Sequence, residues 1–212
     1  GVTWTAPTTT LQTAGLSSLF SNDVDVNENI DGGLLAEIGG EAVVAAWDEA
    51  AGTITFASSS NAGVAWTDES IDIQSGNGPQ GIAVMAGIDN EDKLYVGTQL
   101  GLYEIDTAPA TWTFRLIFPM SPHTSNCRRM TVHNDELWFA QGVENDVPVR
   151  VWRMLTSDGR RRFEPVPNDF SRGDAGPAEI GGRCTWMKSA DGWLYMTTGG
   201  GAASRNARIW CH

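Results

Sequence analysis

The sequence predicts an all-β fold built from repeated four-stranded antiparallel sheets, and three observations carry that expectation. Short runs rich in β-branched and aromatic residues recur at 53–57, 93–97, 136–140 and 193–197, the composition of strands rather than helices. Each run follows a turn rich in Asp, Asn or Gly, at 48–52, 89–92, 134–135 and 190–192, residues that tolerate the backbone a hairpin demands. In every copy a small apolar residue, Val44, Val84, Cys127 or Cys184, stands ten positions ahead of Ile54, Leu94, Leu137 or Leu194.

The elements follow in order. The position ten residues upstream marks a first strand and the strong run a second. A third strand with an aromatic is expected at 63–66, 101–103, 150–152 and 208–210, and a fourth at 70–74, 111–117 and 161–166. The strong runs recur at intervals of 40, 43 and 57 residues, counted from Ile54, Leu94, Leu137 and Leu194. Four-stranded propeller blades repeat at such intervals. The expected blades are 40–76, 80–120, 125–167 and 181–212, with 1–10 a closing strand, 11–39 an acidic loop region and 168–177 a loop insertion. No segment keeps a helical period, although 16–20 has the composition for one turn. Two closures stay open: residues 1–10 complete a four-bladed ring, or the chain is part of a larger one. Unpaired sheet edges invite a neighbour, so an incomplete or complexed propeller is expected. The chain opens on Gly1 without Met and ends at Trp210-Cys211-His212, as a processed or partial chain would.

The phrase Leu94-Tyr-Val-Gly-Thr-Gln-Leu-Gly-Leu-Tyr103 resembles one common in β-propeller blades of the Asp-box (BNR-like) and related sensor-type repeats. Ser59-Ser-Asn61-Ala-Gly63-Val-Ala65-Trp66 is similar to the Asp-box S-x-D-x-G-x-T-W, with Asn for Asp and Ala for Thr, and Gly1-Val-Thr3-Trp4 resembles the tail of another. In the family such a box joins the third and fourth strands, whereas the repeat register puts Trp66 on the third. Sialidases are Asp-box propellers that grip a substrate carboxylate with three arginines and use a Tyr–Glu pair. That likeness points to Arg128, Arg129 and Arg183 near the central channel, while no arginine precedes residue 93 to supply the family's N-terminal one.

Charge narrows the partners. Residues 1–92 hold 14 acidic side chains and no Lys or Arg, and the whole chain carries −12. Nucleic acid and anionic lipid need a concentrated basic face, so neither is an expected partner. No stretch approaches the roughly 20 apolar residues of a spanning helix. A surface this acidic, with Lys93 and Lys188 the only lysines, suits an extracellular or virion setting. Three cysteines make an odd count without C-x-x-C spacing. Cys127 and Cys184 take positions filled by Val in the other copies and are expected to be buried, inert thiols.

Candidate sites are sparse. Asp23, Asp25, Asn27 and Asp31 alternate along a loop at the spacing that lets oxygen ligands wrap calcium, although Glu28 and Leu34 stand where an EF-hand has Gly and Glu. Calcium is the one ion the sequence suggests, and no organic cofactor is implied. The glycines Gly199, Gly200 and Gly201 lack the lysine and following helix of a phosphate loop. His123 and His133 lie in different loops with no partner at metal or triad spacing. Tyr95, Tyr103 and Tyr195 fall on repeat positions explained by packing. Trp112, Trp186 and Trp193 are the aromatics suited to stacking on sugars or peptides, and Trp186 beside Arg183 forms an amphipathic pair of the kind binding sites favour. The leading expectation is a non-catalytic interaction or structural module of a larger assembly, with a protein or further blades as partner. The alternative is a carbohydrate-binding or glycan-processing propeller whose site gathers Glu41, Gln80, Arg128, Arg183 and Trp186 at the channel mouth.

Overall fold

A computed structural model describes residues 34–48, 51–61, 63, 65–76, 78–124, 126–141, 150–166, 183–199 and 208–211. They form fifteen strands and one 3-10 turn (Ser157–Gly159). The first sheet contains β1 (Leu34–Ile38), β2 (Glu41–Asp48), β3 (Thr53–Ser59) and β4 (Thr67–Gln74); the second, β5 (Gly81–Ala86), β6 (Asp92–Thr98), β7 (Gly101–Asp106) and β8 (Thr113–Pro119). The third comprises β9 (Thr131–His133), β10 (Glu136–Gln141), β11 (Arg150–Leu155) and β12 (Arg162–Pro165); the fourth, β13 (Arg183–Ala190), β14 (Trp193–Gly199) and β15 (Arg208–Cys211). Every sheet is an antiparallel meander in chain order.

Turn chemistry sets the register. Gly39-Gly40 between β1 and β2, Asn134-Asp135 between β9 and β10, and Asp191-Gly192 between β13 and β14 all have positive φ at both positions. That is the two-residue hairpin turn whose twist matches the flanking strands. It joins the first two strands of the first, third and fourth sheets alike, so β1, β5, β9 and β13 are the equivalent strands.

This corrects the repeat register. The hairpin built on Val44 and Ile54 is the second and third strands of its sheet, whereas Val84 and Leu94, like Cys184 and Leu194, lie on the first and second. The ten-residue spacing is a property of any tight hairpin crossing a buried core and does not identify which hairpin. Strand β1 lies within 11–39, the region read as acidic loop. Residues 63 and 65–66 precede β4 and form a turn, and Thr67-Asp68 begins that strand. Cys127 precedes β9 in a turn, with φ 53°. The segments 1–10, 16–20 and 168–177 lie outside the described residues.

Side chains alternate between two packed faces, as a pleated strand requires. Leu94 and Val96 of β6 join Ile54, Phe56 and Ile73 in a core between the first and second sheets. Tyr95, between them in sequence, joins Leu102, Leu137, Phe139 and Met154 between the second and third. Trp138 and Ala140 of β10 turn the other way onto Cys184, Met187, Leu194 and Met196 of the fourth sheet. Leu94, Tyr95 and Val96 are all fully buried, because their sheet is covered on both sides. A side chain such as Leu137 contributes about 1.5–3 kcal/mol when fully buried. The first strands of successive sheets follow one another: β1 lies beside β5, β5 beside β9, and β9 beside β13.

Candidate functional site

A cavity of about 290 Å³ is lined by Leu34 and Leu35 of β1, Gly81 and Ile82 of β5, Arg129 and Met130 ahead of β9, and Met187 of β13. The charged group among its described lining residues, Arg129, comes from a turn held in an unfavourable conformation. Cys127 and Arg129 both have φ 53°, a left-handed backbone costing about 1 kcal/mol or more for a side-chain-bearing residue.

Surrounding bonds fix that turn. Asn126, fully buried, donates its amide to Gln99 O (2.6 Å) and Ser121 O (2.9 Å). Cys127 N donates to Ala140 O (2.7 Å) and Arg129 N to Gln80 O (2.9 Å). The turn also lies against two glycines: a Cβ on Gly81 would overlap Cys127 O, and one on Gly97 would overlap Cys127 Cβ.

No carboxylate among the described residues pairs with Arg129. Its pKa is lowered first by burial and then by the charge of Arg128 beside it. The cavity can therefore accept a small anion bearing an apolar group. About 290 Å³ lies at the bottom of the ~300–1,000 Å³ range of ligand pockets.

Of the residues expected at this site, Gln80 and Arg128 adjoin it through the turn. Glu41 does not. It opposes Ile38 across the β1–β2 hairpin, about 10–13 Å along β1 from Leu35 and Leu34 at ~3.3 Å per residue. Arg183 and Trp186 lie on β13, opposite Gly199 and Thr197 and on either side of a bulge; their side chains lie outside what is described, as do Asp23, Asp25, Asn27 and Asp31. Trp112 is no stacking platform. It is buried in the core between the first two sheets, 6.4 Å from the Phe56 ring. Trp193, by contrast, is 54% exposed.

Three polar constellations escaped the sequence reading. Between the second and third sheets, buried Glu104 accepts hydrogen bonds from Tyr95 Oη (3.1 Å), from Arg115 Nε and Nη2 (2.9 and 2.6 Å) and from Arg161 Nη2. The signal was an acid in the otherwise apolar run 101–105; Arg161, 57 residues away, had none. Nearby, Lys93 is only 6% exposed and contacts Asp89, Glu91 and Asp106 at 3.0–3.3 Å. Burial opposes its charge, but the three carboxylates outweigh that and raise its pKa. At the other pair of sheets, His133 Nδ1 meets Ser189 Oγ at 2.9 Å, a partner 56 positions away that no local spacing reveals.

No protein-family model and no curated protein matches this chain.

Proposed function

We propose that the four sheets are blades of a β-propeller, or of a segment of one, and that the chain is a non-catalytic interaction module of a larger assembly. One arrangement carries the reading: equivalent first strands lie side by side in chain order, three of the sheets and the turn leading into the other line one cavity, and a separate core fills each space between successive sheets. Meanders radiating from a shared axis have this property. Serial stacking also leaves an outward face at the end of the array, where the fourth sheet carries exposed Lys188 and Trp193 beside half-buried Tyr195. Such a face suits a neighbouring sheet or partner.

Spin labels at Asp72 (β4), Thr113 (β8) and Arg162 (β12), taken in pairs in a chain with Cys211→Ser, test the arrangement by electron–electron distance measurement. Radial sheets give a β4-to-β12 distance longer than either neighbouring distance but well short of their sum; a distance equal to the sum means a linear stack and ends the propeller reading. Sialoside hydrolysis and a glycan array are expected to be silent, and turnover or specific glycan binding would replace the module by the carbohydrate reading.

A further inference from the structure

We propose that the cavity at Arg129 is a ligand site for a small carboxylate carrying a short apolar body, aliphatic or aryl. This goes beyond the module reading and adds a small-molecule site to it.

Three observations meet at this guanidinium. The chain holds 26 acidic side chains against 14 basic ones, yet no carboxylate among the described residues pairs with Arg129. Burial and the neighbouring charge of Arg128 both oppose its own charge, so the fold holds this cation in place against its electrostatics. Its backbone opposes it as well. At φ 53° Arg129 occupies a left-handed conformation that Asn and Gly adopt far more readily. Strain of this kind gathers at ligand sites, where the surrounding structure over-determines it. The bonds that do so here run from Arg129 N to Gln80 O, ahead of β5, and from Cys127 N to Ala140 O on β10. They tie the turn to the second and third sheets.

The walls choose the rest of the ligand. Besides Arg129, the described lining is Leu34, Leu35, Gly81, Ile82, Met130 and Met187, with no acid and no second cation among them. Leu35 is 66% exposed and leaves the cavity open to water, whereas Met130 and Met187 are buried. Methionine adapts its shape to what it meets. Strands β1 and β5 border the cavity, each with one edge that no described strand pairs, and such an edge presents backbone N–H groups. The guanidinium fork takes a carboxylate through two parallel bonds. An apolar cavity of roughly 150 Å³ accommodates a benzene ring. About 290 Å³ therefore has room for a ring or short chain together with its carboxylate. A bare inorganic anion would leave the leucine and methionine walls facing water.

The test titrates the chain, labelled with ¹³C-methyl methionine, with benzoate. The Met130 and Met187 signals should shift together and saturate, while Met85 and Met154, core residues outside the described lining, stay in place. Benzamide keeps the shape without the charge and inorganic phosphate keeps charge without the apolar body; each should bind roughly tenfold more weakly or worse. Arg129→Asn separates a ligand role from a structural one. Its benzoate affinity should fall at least tenfold, while the urea midpoint of the ligand-free variant holds or rises, because Asn accepts the left-handed backbone. Should that variant misfold, Leu35→Glu at its exposed position decides instead: the new carboxylate competes for the guanidinium and should weaken benzoate by a similar factor. The proposal is overturned by the absence of saturable shifts, by equal shifts of all six methionines, or by unchanged affinity in the deciding variant. Phosphate binding as well as benzoate overturns it too, as an adventitious ion only. Radial label distances with no benzoate binding remove this inference alone.

Discussion

Tyr95 and Glu104 face each other in the β6–β7 ladder, and the phenol donates to the carboxylate across 3.1 Å in the space between the second and third sheets. The same carboxylate takes Arg115 from its own sheet and Arg161 from the next. One acid thus ties two sheets together, and both the acid and Arg161 are shielded from water.

Removing that acid should be severe. Glu104→Ala leaves the Arg161 guanidinium and the Tyr95 hydroxyl without their acceptor, and breaking a buried pair from one side costs about 3–5 kcal/mol. Arg115, 56% exposed, is a different case, and Arg115→Ala should cost about 1 kcal/mol or less. Urea denaturation of the two variants checks the contrast; equal losses would mean that the carboxylate does not act as the shared centre.

Alkaline pH should weaken the same region. Burial, the Glu104 charge and the hydrogen bond to it all push the Tyr95 pKa up. A raised folded pKa contributes stability that is complete below the unfolded value, ordinarily near 10, and is lost as pH climbs beyond it, because the unfolded chain releases the proton first. Lys93, also raised, loses its contribution in the same direction. The urea midpoint should fall between pH 9 and pH 11, and more gently in Tyr95→Phe, which costs about 1 kcal/mol at neutral pH.

What was legible in the sequence was the strand chemistry. Alternation around Leu94, Tyr95 and Val96, and turns such as Asp191-Gly192, are local and predict strands wherever they occur. Which strand of a sheet each hairpin occupies depends on neighbours far along the chain, so the shared spacing makes Val44 and Val84 look equivalent although they lie on second and first strands. Strand β1 was hidden because Gly32-Gly33 and Gly39-Gly40 bracket it with loop signals. The site was less legible still. The exposure of Arg129 to a cavity depends on left-handed backbone at Cys127 and Arg129, residues with no intrinsic preference for it, and the Glu104–Arg161 and His133–Ser189 pairs span more than fifty residues each.

His133 should be locked in one tautomer. Asn134 Nδ2 approaches His133 Nε2 at 3.2 Å, making Nε2 the acceptor and leaving the proton on Nδ1, which donates to Ser189 Oγ at 2.9 Å. The serine accepts from the imidazole rather than giving it a proton, so it is not activated as a nucleophile. Long-range ¹H–¹⁵N spectra near pH 8 should show protonated Nδ1, and a fluorophosphonate probe should leave Ser189 unlabelled. Protonated Nε2 in the spectra would reverse the assignment.

The turn at 59–66 should behave as a structural clasp. Asn61 Oδ1 accepts from Ala65 N (2.8 Å) and from Ser59 Oγ (2.9 Å), Ser59 Oγ accepts from Gly63 N (2.9 Å), and Trp66 Nε1 closes on Gly63 O (3.1 Å). It joins the third and fourth strands of its sheet, where a family Asp-box stands. Since Asp offers the same acceptor with more charge, Asn61→Asp should hold or raise the melting temperature. Asn61→Ala should cost about 1–2 kcal/mol, as the loss of a capping acceptor does. A drop as large in Asn61→Asp would show that the amide's donors matter as well.

The contact between Gly97 and Cys127 joins packing to thiol chemistry. Gly97 N lies on β6, paired with Leu102 and Gly81, and a methyl there would meet Cys127 Cβ, backbone-fixed atoms with little freedom to yield. Gly97→Ala should therefore cost about 1–3 kcal/mol from overpacking, paid by shifting the 126–130 turn that carries Arg129. Cys127 itself is fully buried and its thiol pKa is raised by that burial, so a disulfide reagent should leave Cys127 and the equally buried Cys184 unmodified in the native chain. In Gly97→Ala the displaced turn should expose Cys127 by transient opening, and its labelling should accelerate well ahead of Cys184, which packs between the third and fourth sheets. If both thiols accelerate together, the substitution acts by global unfolding and the turn is not a locally strained element.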